Sequence, residues 1–232
     1  MTTARPTRLA EADIARHAHV GAYATLVLDG AYEEAGDAGR FRVEPGDVLI
    51  HGPFSAHRDA VAPRRTIVLD LPLPFDARAW PARGQLKGAG DLVRTAERDA
   101  KAATGMLIEG LTPTPTAEGD LPDRLAREVS NNPSLAVGSW SRSMRVSRET
   151  AWRQFRLAYG VDIATYRGEA RARQAWRAIV GSSTPLAEIA VAAGFSDQAH
   201  MSRCVKAFTG STPGQWRRHV ATSVQDPSAP PR

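Results

Sequence analysis

The sequence predicts an α+β protein of two domains, in which a strand-rich N-terminal domain precedes an all-helical C-terminal domain. Short segments rich in β-branched residues, separated by glycine, proline and aspartate, recur between residues 23 and 71. From residue 122 onwards, apolar residues recur at helical spacing. Residues 111–121 carry two prolines and no apolar period, which is typical of a linker. We therefore expect domains at 1–110 and 122–222, followed by a disordered tail at 223–232.

Length and composition indicate an ordinary globular protein. The 232 residues allow two domains of about a hundred residues, each with its own core. No apolar run approaches the roughly twenty residues that span a bilayer, and the N-terminal segment lacks the apolar stretch of a signal peptide. The single cysteine, Cys204, cannot form an internal disulfide. We expect a cytoplasmic protein that contacts no membrane.

The two halves of the chain differ in charge. Residues 121–232 hold 16 Lys and Arg against 8 Asp and Glu, whereas residues 1–120 hold 14 against 17. Basic side chains that neutralise phosphates drive DNA affinity, so this asymmetry fits a nucleic-acid-binding half joined to a separate sensor. An arginine-rich genome would give a similar composition, so charge alone leaves both interpretations open.

Four segments of the N-terminal half are predicted strands, and their close spacing favours a sandwich or small barrel over βαβ units. They are Tyr23–Leu28, Gly39–Val43, Asp47–Ile50 and Arg65–Leu71. Pro45-Gly46-Asp47 has the composition of an ordinary turn between strands. Apolar residues between about Gly90 and Gly110 recur at helical spacing and predict one helix that packs on the barrel or against a second subunit.

The sharper pattern of the C-terminal half runs from Pro185 to Phe208 and predicts two helices joined by a turn at Gly194. Ser196 or Asp197 is expected to cap the second helix. Glutamine pairs with adenine and arginine with guanine in the major groove, so the polar face of this helix has the chemistry of DNA recognition. A helical hairpin with a solvated face would show the same periodicity. The face presents Gln198, Ala199, His200, Ser202, Arg203 and Lys206.

A similar pattern comes earlier in the chain. Residues 135–140 indicate a short helix, and Ser147 is placed to cap a second one. Residues 163–180 then predict a helix of about 18 residues, roughly 27 Å long. Successive major-groove faces of DNA lie about 34 Å apart, so one chain can read two adjacent groove segments. The outward residues of the earlier pattern are Arg148, Glu149, Trp152, Arg153 and Arg156.

A dense signature lies between residues 189 and 217. It comprises Ile189-Ala190, Gly194-Phe195-Ser196-Asp197-Gln198, His200-Met201-Ser202-Arg203, Phe208, Thr212-Pro213 and Gln215-Trp216-Arg217. By these residues, the stretch 121–221 resembles the DNA-binding domain of the AraC/XylS family of transcription regulators. The resemblance implies two helix-turn-helix units that bind double-stranded promoter DNA, with RNA polymerase as the downstream partner.

The resemblance also implies which side chains contact DNA. Glu149 departs from the family pattern. An acidic group at this position would repel phosphate and is expected to select cytosine instead. Ala151 is smaller than the leucine common at its position. The positions that match the family's base contacts are Glu149, Trp152 and Arg153 in the first unit and Gln198, Ala199, His200 and Arg203 in the second. Arg148 and Ser202, beside them on the same helices, are also expected to contact DNA.

The N-terminal half resembles the cupin-like barrel that serves the same family as a sensor domain. Metal-binding cupins bring together a His-x-His pair, a glutamate just downstream and a later histidine. Here His17, His19 and His57 match the histidines, whereas Tyr23 or Ala24 stands where the glutamate is expected, so the carboxylate ligand is missing.

Three uses of these histidines stay open. They can hold Zn²⁺, Ni²⁺ or Fe²⁺ with an open coordination position, hydrogen-bond an organic effector, or act as structural residues at the rim. We expect that the protein requires no cofactor; the alternative is that it binds a divalent transition metal ion at these histidines. Glu33 and Glu34 are expected to be solvated residues of a strand edge or turn.

The leading functional hypothesis is a sequence-specific regulator without catalytic residues, controlled by a small-molecule effector or metal in the barrel. The helix near residues 90–110 offers a surface for a homodimer. One alternative is a metal-dependent cupin enzyme with an accessory DNA-binding domain, against which the missing glutamate argues. Another is a constitutive DNA-binding regulator whose barrel only dimerises.

Overall fold

A computed structural model describes residues 2–10, 13–61, 65–74, 81–115 and 119–225, with side chains up to residue 220. The chain divides into two compact units. The first comprises residues 1–127 together with 150–161, and the second comprises residues 128–149 together with 162–232. Among the described residues, no helix is both long enough and apolar enough to cross a membrane.

The described strands of the first unit form two antiparallel sheets. The six-stranded sheet has the order β1-β8-β3-β6-β9-β10, and the four-stranded sheet has the order β2-β7-β4-β5. The strands therefore do not join into the closed barrel expected from the sequence. Their bounds are β1 Thr7–Leu9, β2 Asp13–Ala18, β3 Tyr23–Asp29, β4 Tyr32–Gly36, β5 Gly39–Val43, β6 Asp47–His51, β7 Ala56–Val61, β8 Thr66–Pro72, β9 Arg83–Gln85 and β10 Thr112–Pro113.

The six-stranded sheet is buried on both faces. One face packs against two helices, α1 (Ala89–Ala96) and α2 (Ala100–Gly110), with Leu26, Leu69 and Leu107 fully buried in this layer. The other face packs against the four-stranded sheet, where Val68 and Leu49 meet Phe41. This second layer surrounds the candidate site described below.

The single helix expected between Gly90 and Gly110 is two helices. The Asp99 side chain accepts hydrogen bonds from the backbone N–H groups of Lys101 and Ala102, so it starts a new helix where the apolar spacing alone suggests continuity. Both helices pack on the sheet, which is one of the two placements that the sequence left open.

The predicted linker 111–121 is partly structured. Thr112 and Pro113 pair with β9 and so extend the six-stranded sheet. Residues 116–118 lie outside the described part of the chain. Pro45-Gly46-Asp47 forms the expected turn, with Gly46 at φ 92° and the Asp47 N–H donating to the Glu44 carbonyl.

Seven helices follow in the described residues. They are α3 Leu121–Asn131, α4 Val137–Ser143, α5 Arg148–Tyr159, α6 Ile163–Gly181, α7 Leu186–Ala192, α8 Gln198–Thr209 and α9 Pro213–Gln225. Helix α9 extends into the predicted tail 223–232, of which residues 226–232 lie outside the description. The first unit includes residues 121–127 of α3 and 150–159 of α5, whereas the predicted bounds placed residue 121 in the linker and residues 122–127 and 150–159 in the helical domain.

Helix α6 is the central element of the second unit and packs against α7, α8 and α9. Asp162 caps its first turn by accepting from the Thr165 N–H at 2.7 Å. Trp176, 1% exposed, lies edge-on to Trp216 of α9 with ring centroids 5.8 Å apart. The Trp216 indole N–H in turn donates to the Thr209 hydroxyl at 2.7 Å, which ties α9 to the end of α8.

Candidate functional site

Helices α7 and α8 form a compact helix-turn-helix within the second unit. Gly194 adopts φ 74°, a left-handed conformation that glycine tolerates best. The Phe195 N–H donates to the Ala190 carbonyl at 2.9 Å, which closes the turn after α7. Ala190 is fully buried, as its position at the crossing of the two helices requires. The predicted turn and both flanking helices are therefore present.

Asp197 caps α8, and of the two residues expected to do so it is the one that accepts from the His200 N–H, at 2.7 Å. This hydrogen bond and one from the Ser196 hydroxyl lower the pKa of Asp197. The Met201 and Val205 side chains face the core. Opposite them, Gln198, Ala199, Arg203 and Lys206 are exposed, and His200 and Ser202 are half-buried.

His200 differs from the other predicted base contacts on α8. Its Nδ1 lies 3.1 Å from the Ser196 hydroxyl, and its ring lies edge-on to Phe195 with centroids 5.3 Å apart. The ring is thus already engaged within the turn, so it orients the start of α8 as well as facing outward.

We expect Gly194→Ala to destabilise the second unit by roughly 1–2 kcal/mol, because a side chain at positive φ is strained. The added Cβ would also lie 3.0 Å from the Ser134 hydroxyl oxygen. Gly168→Ala is the matched control, since Gly168 lies inside α6 with nothing within 4 Å of an added Cβ. There the same substitution should stabilise by about 0.5–1 kcal/mol. Chemical unfolding measures the free energy of unfolding of both variants. If both substitutions change it in the same direction, the expectation is contradicted.

The first predicted recognition helix is α5. Arg145, at φ 55°, lies in the turn that precedes it. On α5, Ala151 and Phe155 are buried, whereas Trp152 is 37% exposed. Arg148, Glu149 and Arg153 are also exposed, so each predicted contact of this helix is accessible.

The last turn of α5 contacts the strands of the first unit. The Arg58 guanidinium on β7 donates to the Leu157 carbonyl at 2.8 Å, near the negative end of the helix dipole. Gly160, at φ 73°, follows the helix, and a Cβ there would meet the Arg58 side chain at 3.0 Å. The Tyr159 hydroxyl donates to Asp123, whose carboxylate also accepts from Arg40 of β5.

A second cluster lies between the two sheets of the first unit and contains the three predicted histidines. His17 on β2 pairs across the sheet with His57 on β7, and their Nε2 atoms are 3.1 Å apart. The His19 ring centroid lies 4.8 Å from that of His17 and 5.3 Å from that of His57. The structure therefore brings His17, His19 and His57 together.

Two further residues of this cluster escaped the sequence analysis, namely Glu34 of β4 and His51 of β6. Glu34 is 5% exposed and His51 is 4% exposed, so the expectation that Glu34 is solvated was wrong. The His51 Nε2 lies 3.6 Å from one Glu34 oxygen, and the His57 Nδ1 lies 3.4 Å from the other. Glu34 thus places a carboxylate in the cluster from β4, and not from the position of Tyr23 or Ala24 where the sequence comparison expected one. The Tyr23 ring instead stacks on His51, with ring centroids 4.4 Å apart.

Electrostatics distinguish the members of the cluster. Burial lowers the pKa of His51 well below its ordinary value, and the nearby His57 adds to the shift. Burial opposes a charge on His57, but contact with Glu34 outweighs it and raises the pKa of His57. Burial raises the pKa of Asp59, on the same strand, to about 6. His51 is therefore a neutral imidazole at pH 7, the form in which histidine binds metals.

Strand alternation is the signal that could have identified Glu34, whereas His51 lies on β6, where all five residues are buried and no alternation is present. Along β4, Tyr32 and Glu34 are buried and Glu33 between them is exposed. Along β7, His57, Asp59 and Val61 are buried, and Arg58 and Ala60 are less so. Such alternation marks one face of a strand, but here polar residues occupy the inner face and disguise it.

Comparison with known proteins relates the helical half to DNA binding. A family model described as a helix-turn-helix domain matches residues 140–219, from α4 into α9. The transcriptional activator NphR of Rhodococcus sp. is 27% identical over 236 residues, which cover 84% of this chain and 69% of NphR. The family model concerns a helix-turn-helix domain, and NphR is a transcriptional activator.

Solved structures of low sequence identity are also similar to this chain. The C-terminal domain of AraT, a response regulator from Geobacillus stearothermophilus, is 20% identical with a TM-score of 0.41, and the match covers 45% of this chain and 88% of that domain. ToxT from Vibrio cholerae is 8% identical with a TM-score of 0.43, and the match covers 95% of each chain.

Proposed function

We propose that the chain, a DNA-binding transcriptional regulator, belongs to the AraC/XylS family and that its strand-rich unit senses an effector that changes DNA binding. One observation carries the proposal. Strand β7 directs His57 and Asp59 into the buried cluster and Arg58, between them, toward the last turn of α5. A ligand at the cluster therefore acts one residue away from a contact to the first recognition helix.

The target is double-stranded promoter DNA, read by the exposed faces of α5 and α8. Gln198 and Arg203 carry the groups that pair with adenine and guanine. Glu149 on α5 favours cytosine, whose amino group donates to a carboxylate. The remaining contacts that we assign are Arg148, Trp152, Arg153, Ala199, His200 and Ser202.

NphR is a transcriptional activator, and on this basis we assign the buried cluster to ligand binding and not to turnover. Its occupant is a small molecule or a metal ion, and it shifts the equilibrium only if its affinity differs between two conformations. A barrel that merely dimerises would leave DNA affinity indifferent to any such ligand.

RNA polymerase is the downstream partner in this proposal, because NphR, the relative, is a transcriptional activator. A homodimer is supported by α2, on which Met106 and Ile108 are 39% and 40% exposed. Binding to the bacterial chromosome places the protein in the cytoplasm.

DNA-affinity sequencing tests the DNA-binding part. Purified protein is incubated with fragmented genomic DNA from its own organism at near-physiological salt, and bound fragments are counted. We expect a few sharp promoter peaks that share two short motifs about one helical turn apart. A flat profile that disappears with modest added salt would indicate phosphate attraction alone and would contradict specific recognition.

A further inference from the structure

We propose that Glu34, His51 and His57 bind one divalent first-row transition metal ion, and that this ion is the effector of the strand-rich unit. The metal site stands on its own geometry, whereas its role as effector rests on the proposed function. The ligand set differs from the one expected from sequence, because it replaces His17 and His19 by Glu34 and His51.

The distances favour a metal over hydrogen bonds. The Glu34 carboxylate lies 3.6 Å from the His51 Nε2 and 3.4 Å from the His57 Nδ1. Hydrogen bonds between such groups are about 2.7–3.2 Å long. Two ligands at about 2.0–2.1 Å from a tetrahedral ion are about 3.3 Å apart. Each imidazole nitrogen therefore lies from one of the two Glu34 oxygens at about the separation of neighbouring ligands of one ion, and the candidate donor atoms all lie within 4.8 Å of one another.

The two imidazole nitrogens are otherwise unsatisfied. Both His51 Nε2 and His57 Nδ1 are buried and have no hydrogen-bond partner among the described residues. Their side chains are 4% and 6% exposed, and that of Glu34 is 7% exposed. Burial of unpaired polar groups costs free energy that coordination would offset.

The surroundings orient the ligands. With His57 Nδ1 on the ion, its Nε2–H faces the His17 Nε2 at 3.1 Å, the outer-shell hydrogen bond that metal-bound histidines usually make. Tyr23 covers His51 by stacking. Gly36 pairs across the sheet with His57, and a side chain there would come within 3.4 Å of the Glu34 carboxylate. Glycine at this position keeps the site open.

The donor set indicates the class of metal. Two neutral imidazoles and one carboxylate suit Zn²⁺, Fe²⁺, Co²⁺ or Ni²⁺, whereas Mg²⁺ and Ca²⁺ prefer oxygen ligands. Three protein ligands leave a fourth position for water or a small anion. Binding would fix His57, and through the adjoining Arg58 it would fix the contact to the Leu157 carbonyl of α5.

The test is calorimetric titration of the full, tag-free chain with Zn²⁺. We expect one ion per chain, with affinity at least about a hundredfold weaker in Glu34→Gln and His51→Asn, since even outer-shell partners contribute 10- to 100-fold. His19→Ala is the matched control and should bind as wild type. Co²⁺ in place of Zn²⁺ should show the visible absorption of a four-coordinate ion, and both metals should raise the Tm of wild type.

If wild type shows no saturable binding of Zn²⁺, the proposed metal site is wrong, whether or not the variants fold. Binding that His19→Ala loses and His51→Asn keeps, with far-ultraviolet circular dichroism unchanged, would overturn the ligand set. For regulation, affinity for an operator fragment from the sequencing experiment is measured with and without Zn²⁺, in wild type and Arg58→Ala. Zn²⁺ should change the operator affinity of wild type more than that of Arg58→Ala. If wild type binds the operator with equal affinity with and without Zn²⁺, the effector role is wrong, while the metal site and the DNA-binding function remain intact.

Discussion

Trp176→Ala is expected to lower the free energy of unfolding of the helical unit by about 3–5 kcal/mol, the usual cost of removing a buried tryptophan side chain. Trp176 is 1% exposed on α6, the helix against which α7, α8 and α9 all pack. Its ring also contacts Trp216 edge-on. The cavity would therefore open where the second helix-turn-helix is attached, so DNA binding should fall with stability.

Gln174→Ala is the control for this substitution, because Gln174 lies on the exposed face of the same helix. Its effect should stay within about 0.5 kcal/mol. Urea unfolding followed by tryptophan fluorescence and by far-ultraviolet circular dichroism measures both variants, since two units need not unfold in one transition. An unchanged unfolding midpoint for Trp176→Ala would contradict the packing described for α6.

The helical half is the part of the fold that the sequence predicts well, because its signals are local. Helix α6 was expected at 163–180 and spans Ile163–Gly181, with a capping aspartate just before it. The turn at Gly194 follows from residue type alone, and residue type narrows the cap of α8 to Ser196 or Asp197, of which Asp197 is the cap. Such signals depend on neighbours along the chain, which any sequence displays.

The strand-rich half is predicted less well, because its inner face carries polar residues. Strands β4 and β7 lack the alternation of apolar and polar residues by which strands are recognised, since Glu34, His57 and Asp59 point inward. The grouping of Glu34 with His51 depends on pairing between distant strands, which periodicity does not reveal. The predicted trio of histidines came from a resemblance, and the structure places the Glu34 carboxylate beside only one of the three, His57.

The contact between α5 and β7 is a further feature beyond local sequence signals. Arg58 and Leu157 are far apart in the chain, and neither has a distinctive neighbourhood. A boundary drawn from composition therefore assigned the whole of α5 to the helical domain. The predicted break at residues 111–121 was likewise drawn from prolines, one of which lies in β10.

Arg203→Ala and Arg153→Ala are each expected to weaken operator binding by about 1–3 kcal/mol and to relax base preference at one position. Both side chains are exposed on the outward faces of α8 and α5, and a guanidinium forms two hydrogen bonds with guanine in the major groove. Alanine removes both donors while keeping helix propensity, so the loss reports recognition and not folding.

Lys206→Ala, on the same helix as Arg203, separates base recognition from phosphate attraction. It should weaken binding about equally for all sequences and reduce the slope of log affinity against log salt by about 1. Arg94→Ala, exposed on α1 in the other unit, should change neither quantity. Fluorescence anisotropy with operator and single-base variants, at several salt concentrations, distinguishes these cases. If both Arg203→Ala and Arg153→Ala bind the operator as wild type does, with circular dichroism unchanged, these arginines do not contact the bases.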